Sequence, residues 1–204
     1  MPHTDGSAEF SMGNTSVIAF IQGPREPTHR HLIKPDKCAV SCEFRLESYA
    51  MLERTVWTQG SRRARDFELC IKRTFENAIL TGELPRSEVH IVVQVHSADG
   101  SLLACCINAA SLALLNAGVP MKDIVGSCTC GFLNASAVVD LNSIEYASGG
   151  PELTVASFLN SGDIVLLDMK SKLVQDHFEE VLELGLEGSK IVASEIKRVC
   201  VASI

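Results

Sequence analysis

Hydrophobic and polar positions along this chain follow two periods, and the switches between them mark out its elements. Ser16-Val-Ile-Ala-Phe-Ile21 and Lys37-Cys-Ala-Val-Ser-Cys-Glu-Phe44 are short runs rich in strand formers. Gly23-Pro24 and a polar loop carrying Pro27 and Pro35 separate them, which predicts two strands. The stretch from Glu53 to Arg65 is polar and basic and reads as an exposed loop. From about Arg65 to Leu80, residues Phe67, Ile71, Phe75, Ala78 and Ile79 recur at helical spacing until Gly82 and Pro85 stop the pattern. Val89 to Val95 alternates as a strand. Leu103 to Ala117 is helical and apolar around most of its circumference, which places it at the centre of the fold.

The second half carries four strand-like runs, Ile124 to Leu133, Ala137 to Asp140, Leu153 to Phe158 and Ile164 to Met169. Asn160-Ser-Gly-Asp163 between the last two is a hairpin turn. A long helical pattern follows from about Val174 to Val199, with Phe178, Val181, Leu182, Ile191 and Ile196 on its apolar stripe. Gly185 and Gly188 interrupt it and mark a kink or a close helix contact. Strands, a buried helix, more strands and a terminal helix make an α+β protein with mixed sheets. Its first part runs over 1–122 and its C-terminal part over 123–204, as one compact unit.

Composition narrows the picture. A chain of 204 residues, 46% of them hydrophobic, can bury a full core. The most apolar stretch, Ser101 to Val119, contains Ser, Asn and Gly and is flanked by Asp99 and Lys122, so no membrane partner is expected. Met1-Pro-His-Thr has neither the basic start nor the apolar run of a signal peptide. Eight cysteines lie mostly in apolar runs without CxxC spacing, and the six histidines show no ligand pairing. Nothing here calls for a metal or another cofactor, and free thiols suit a reducing cytosol or nucleus. A net charge of −7 argues against a protein that coats nucleic acid by itself. Arg54, Arg62, Arg63 and Arg65 nevertheless cluster, and a basic patch on an acidic body fits a subunit supplying one stretch of a shared RNA path.

Several short motifs then occur in a telling order. Asp5-Gly-Ser-Ala8, Gly13-Asn-Thr15, Gly23-Pro24, Leu84-Pro-Arg86, Asp99-Gly100-Ser101, Asn108-Ala-Ala110 and Asn116-Ala-Gly-Val-Pro-Met121 together resemble the RNase PH family across nearly the whole chain. The resemblance implies an RNase PH-like fold, related to ribosomal protein S5 domain 2. It is strongest to the ring subunits of the eukaryotic RNA exosome. Gly149-Gly-Pro151, the basic loop before Phe67 and the terminal Ala-Ser-Ile204 are nearest one kind of ring subunit, and Gly100-Ser-Leu-Leu-Ala-Cys-Cys106 nearest another. Such a subunit pairs with another RNase PH-like subunit, and three pairs close a ring. Single-stranded RNA threads the ring to a separate hydrolytic nuclease, while cap subunits cover one face. The implied locations are nucleus, nucleolus and cytoplasm. The apolar faces of Val89–Val95 and of the terminal helix are candidate pairing surfaces. Members normally begin with an Arg-x-Asp-Gly-Arg arm, so a start close to Asp5 suggests a shortened form.

Two departures bear on activity. Active members of the family place two acids six residues apart, where this chain carries Tyr146 and Glu152. A phenol is a neutral donor at pH 7 and cannot share a divalent cation with a carboxylate. The family's phosphate-binding arginine, two residues after Gly100, is replaced by Leu102, which offers an anion nothing. Phosphoryl transfer depends on cation charge and positioning, so the expectation is a non-catalytic scaffold with no cofactor. Arg62 and Arg63 match the family's RNA-backbone contacts, with Arg54 and Arg65 beside them; a solvated basic turn is the plain alternative. Asp140 with Glu152 could hold a metal, or Asp140 could simply end a strand. Ser127 to Gly131 matches an anion-binding turn or a strand. Two other functions remain open: an active phosphate-dependent exoribonuclease using Glu152 and Asp140, and a free-standing RNA-binding homodimer.

Overall fold

The computed structural model describes residues 4–27, 35–51, 61–133 and 136–202. Its first strand, β1 (Gly6–Met12), is weakly marked in the sequence because glycine and alanine carry half of its alternation. Gly6, Ala8, Phe10 and Met12 point to the core, while Ser7, Glu9 and Ser11 point away. A side chain at Gly6 would run into the backbone of Ala113 at 2.5 Å. β1 pairs antiparallel with β2 (Thr15–Arg25). β3 (Ala39–Leu46) lies parallel to β4 (Glu88–Ser97), giving the order β1-β2-β4-β3.

Helix α1 (Arg62–Ala78) covers β3, and α2 (Leu102–Asn116) covers β1 and β2. Two expectations change here. The apolar side of β4 is spent internally: Val89, Ile91, Val93 and Val95 are fully buried in an interior strand, so that face cannot be a pairing surface. The basic segment is also partly helical rather than all loop. Ser61 accepts the Ala64 N–H at 3.3 Å and caps α1, so Arg62, Arg63 and Arg65 form its first turn.

α2 bears no charged residue and is buried along nearly its whole length, as its pattern demands. Its other side meets a second, wholly antiparallel sheet of order β6-β5-β7-β8. This comprises β5 (Val125–Leu133), β6 (Ser136–Val139), β7 (Glu152–Phe158) and β8 (Ile164–Met169). A short helix α3 (Ser143–Ala147) intervenes between β6 and β7, started by a capping box of Asn142 and Glu145.

α4 (Gln175–Ala202) lies on the far face of the second sheet and runs unbroken through both glycines. Gly185 and Gly188 serve close contact with the sheet. An added Cβ at Gly188 would meet Cys128 Sγ at 2.9 Å, and one at Gly185 would meet Val155 Cγ2 at 3.0 Å. The layers are therefore sheet, helices, sheet, helix. No helix is long and apolar enough to cross a membrane among the described residues.

A buried polar seam joins α2 to the second sheet. Asn108 Nδ2 donates to the Ser127 carbonyl at 2.9 Å, and the Ser127 N–H donates to Asn108 Oδ1 at 2.8 Å. β6 pairs only with Cys130–Leu133, so beyond it the Asn108 amide takes the place of a neighbouring strand. Ser127 to Gly131 is thus ordinary strand, paired throughout with β7.

Candidate functional site

Glu152 opens β7 opposite Gly131, and its side chain is only 8% exposed. Its two carboxylate oxygens accept from Lys170 Nζ at 3.3 and 3.2 Å. The backbones are also joined, since the Lys170 N–H donates to the Glu152 carbonyl at 3.2 Å. Glu152 N–H donates to Ser171 Oγ at 3.3 Å. The lysine ammonium stands 5.6 Å from the centroid of the Phe67 ring, which stacks on Phe44 with centroids 5.1 Å apart. Sequence reasoning flagged Glu152 but missed Lys170.

Tyr146 sits on α3 and is 54% exposed. Its carbonyl accepts from Gly149 N–H at 3.1 Å as the helix ends. Asp140 directly follows β6 with φ of 61°, exposed, its N–H donating to the Thr129 carbonyl at 2.8 Å. These residues do not fit a divalent cation. One of the two expected acids is a phenol, the other is already paired with a lysine, and the described residues contain no cluster of three or more His, Cys, Asp or Glu able to hold a metal.

Leu102 is the first residue of α2 and lies partly buried against the core. Ser101 before it adopts the left-handed conformation, φ 47°, and turns its hydroxyl to the Leu141 carbonyl at 3.3 Å. With no charge anywhere on α2, the helix supplies no cation for phosphate.

Asp99 anchors the neighbouring corner. It accepts from Ser143 Oγ and, at 2.8 Å, from Asn14 Nδ2, and these bonds hold its carboxyl below the ordinary range. Thr15 Oγ1 donates to the Gly100 carbonyl at 2.7 Å and accepts from the Asp99 N–H at 3.0 Å. The β1–β2 hairpin, the turn into α2 and the start of α3 are thereby tied together. The motifs Gly13-Asn-Thr15 and Asp99-Gly100 signalled this corner without revealing its bonds.

Arg62, Arg63 and Arg65 are all exposed on the first turn of α1, which holds no acid. Positive side chains there add to the positive end of the helix dipole and concentrate charge of one sign. Arg54 falls outside the described residues, as do His29 and His31. Phe67, beneath Lys170, lies one helical turn from Arg63, so the basic end of α1 adjoins Glu152. His177, near the start of α4, stacks on Phe132 at a centroid distance of 4.2 Å.

Comparison with known proteins places this geometry. Residues 1–120 match the model of the 3' exoribonuclease family, domain 1, and residues 123–188 match domain 2. The chain is 42% identical to the exosome complex component RRP41 of Bos taurus over 196 residues, covering 96% of this chain and 80% of that one. Against the RRP41 homolog of Arabidopsis thaliana the identity is 41%, covering 96% and 81%. The exosome complex component Rrp41 of Thermococcus kodakarensis is 33% identical, covering 94% and 77%. In structure the chain resembles rice (Oryza sativa) Rrp46, with TM-score 0.85 at 23% identity, covering 98% and 90%. It also resembles the Archaeoglobus fulgidus exosome solved with RNA bound to the active site, with TM-score 0.81 at 19% identity, covering 94% and 83%. The chain belongs to the RNase PH-type 3' exoribonuclease family, with the fold of that family along its length.

Proposed function

We propose that this chain is a non-catalytic ring subunit of an RNA exosome, which scaffolds the ring and contacts single-stranded RNA on its way to degradation or processing. Membership of the family and similarity to exosome components support the ring role. One observation carries the loss of catalysis: Glu152, the sole acid left at the two expected positions, is bound through both oxygens by Lys170. A carboxylate so engaged has its charge neutralised and attracts magnesium weakly, and Tyr146 supplies no second acid. The exposed arginines at the start of α1 are the RNA contacts of this reading, gripping backbone phosphates without reading sequence. Other RNase PH-like ring subunits, cap subunits and a separate hydrolytic nuclease are its partners, in the nucleus, nucleolus and cytoplasm.

The test is direct. Purified subunit, alone and assembled with ring partners, is incubated with single-stranded RNA, magnesium and inorganic phosphate, and nucleoside diphosphates are measured. None should be released. Release that disappears in Glu152→Ala overturns the reading in favour of an active phosphorolytic enzyme.

A further inference from the structure

Beside the arginine-bearing turn of α1, a buried carboxylate sits on the surface along which the proposed function has RNA pass. An isolated acid there would repel phosphodiesters, or would draw in a divalent ion to quench its charge. Lys170 does neither, and three features of its placement matter. It meets both oxygens of Glu152, at 3.2 and 3.3 Å. Its own N–H is bonded to the Glu152 carbonyl on the same rung of the β7–β8 hairpin, so the two charges cannot drift apart. Its ammonium is backed by the Phe67 ring, itself fixed against Phe44. The lysine side chain stays 39% exposed while the glutamate is 8% exposed, so the face turned to solvent is the cationic one.

We infer that Lys170 is the resident cation of this site: it neutralises Glu152 in place of a divalent ion, so that RNA passes without magnesium. The inference rests on the proposed RNA contact and goes beyond it, because it assigns the site's charge balance to one residue. An approaching divalent ion meets a pair of zero net charge, with no excess negative charge to draw it in. An approaching phosphodiester meets the same neutral pair, which does not repel it, while the α1 arginines lie one turn from Phe67.

The charge arithmetic gives the test. The wild-type pair sums to zero, Lys170→Met leaves −1, and Glu152→Gln with Lys170→Met returns to zero. Labelled single-stranded oligouridine is titrated in low salt, in EDTA or in magnesium, and manganese binding is followed by electron paramagnetic resonance. Magnesium should weaken wild-type binding only as a competing counterion of the RNA and never strengthen it, with no manganese bound at this site. Lys170→Met should weaken RNA binding roughly three- to tenfold in EDTA. In magnesium its affinity should match that of wild type in the same buffer, and it should gain a manganese site that Glu152→Gln removes. The double variant should bind RNA as wild type does. A Lys170→Met protein indistinguishable from wild type overturns the inference. So does a double variant as weak as the single one, which would mean that the lysine grips RNA directly. The two wild-type measurements need no variant to fold, and manganese bound by the unaltered protein at Glu152 refutes the inference outright. Affinity and manganese occupancy are read apart from product release, so this inference and the non-catalytic reading fail separately.

Discussion

Asn108 offers the sharpest test of how the two halves are joined. Its side chain is fully buried and makes two bonds to the Ser127 backbone, at 2.9 and 2.8 Å, where β5 has lost β6 as a neighbour. Asn108→Ala removes both partners at once and leaves a peptide N–H and a carbonyl buried without bonds. Each orphaned group costs about 1–3 kcal/mol, so for the two together a loss of about 4 kcal/mol is the central expectation. For a chain of this size, 1 kcal/mol shifts the midpoint by about 2–4 °C, so Tm should fall by about 8–16 °C. Ser111, also buried on α2, is the control. Its hydroxyl has no hydrogen-bond partner among the described residues, so Ser111→Ala should be neutral or stabilise by up to about 1 kcal/mol. Urea denaturation followed by circular dichroism reads both, with equal m-values as the check that the transition is unchanged. An Asn108→Ala protein within about 1 kcal/mol of wild type would refute the claim that this amide substitutes for a strand.

Two further outcomes are expected. Arg62→Glu with Arg63→Glu should weaken RNA protection in the assembled ring without unfolding the subunit, since acids suit a first helical turn; an unchanged footprint counts against RNA contact there. Asp99 is held below its ordinary range by Ser143 and Asn14, so its contribution is complete above the unfolded value and vanishes as pH falls through the lower folded one. Asn14→Ala should therefore be less stable than wild type at pH 7 and converge with it in strong acid, and a gap that persists or widens there would contradict this account.

Most of the layer order could be read from periodicity, because α2, α4 and the strands of the second sheet carry strong signals over eight or more residues or sit beside clear turns. The failures have separate causes. β1 alternates through Gly6 and Ala8, which barely register as apolar, although the close approach of α2 leaves no room for a side chain at Gly6. The start of α1 hid behind arginines, which have no apolar period; Ser61 was the cap that could have revealed it. Asn142 and Glu145 spell a capping box, but the helix it starts has only five residues, none buried, and so no apolar period. The Lys170 partner has the most specific cause. Counting back from the Asn160–Asp163 turn sets Glu152 opposite Met169 and turns Lys170 to the other face of the sheet. A bulge between Ala156 and Ser157 shifts the register by one, bringing Lys170 across from Glu152. Bulges leave little trace in sequence, and here one decides the chemistry of the site.

Glycine contacts clamp only part of α4, and that divides the helix mechanically. Its 28 residues span about 42 Å, whereas the nine residues of β5 beneath it reach about 30 Å. Inward positions as far as Ala193 and Ile196 are buried, but Val199 and Val201 stand largely open. The last turns project like a cantilever from a beam whose other end is fixed. Their order depends on what they rest against, while everything up to Ile196 belongs to the cooperative fold.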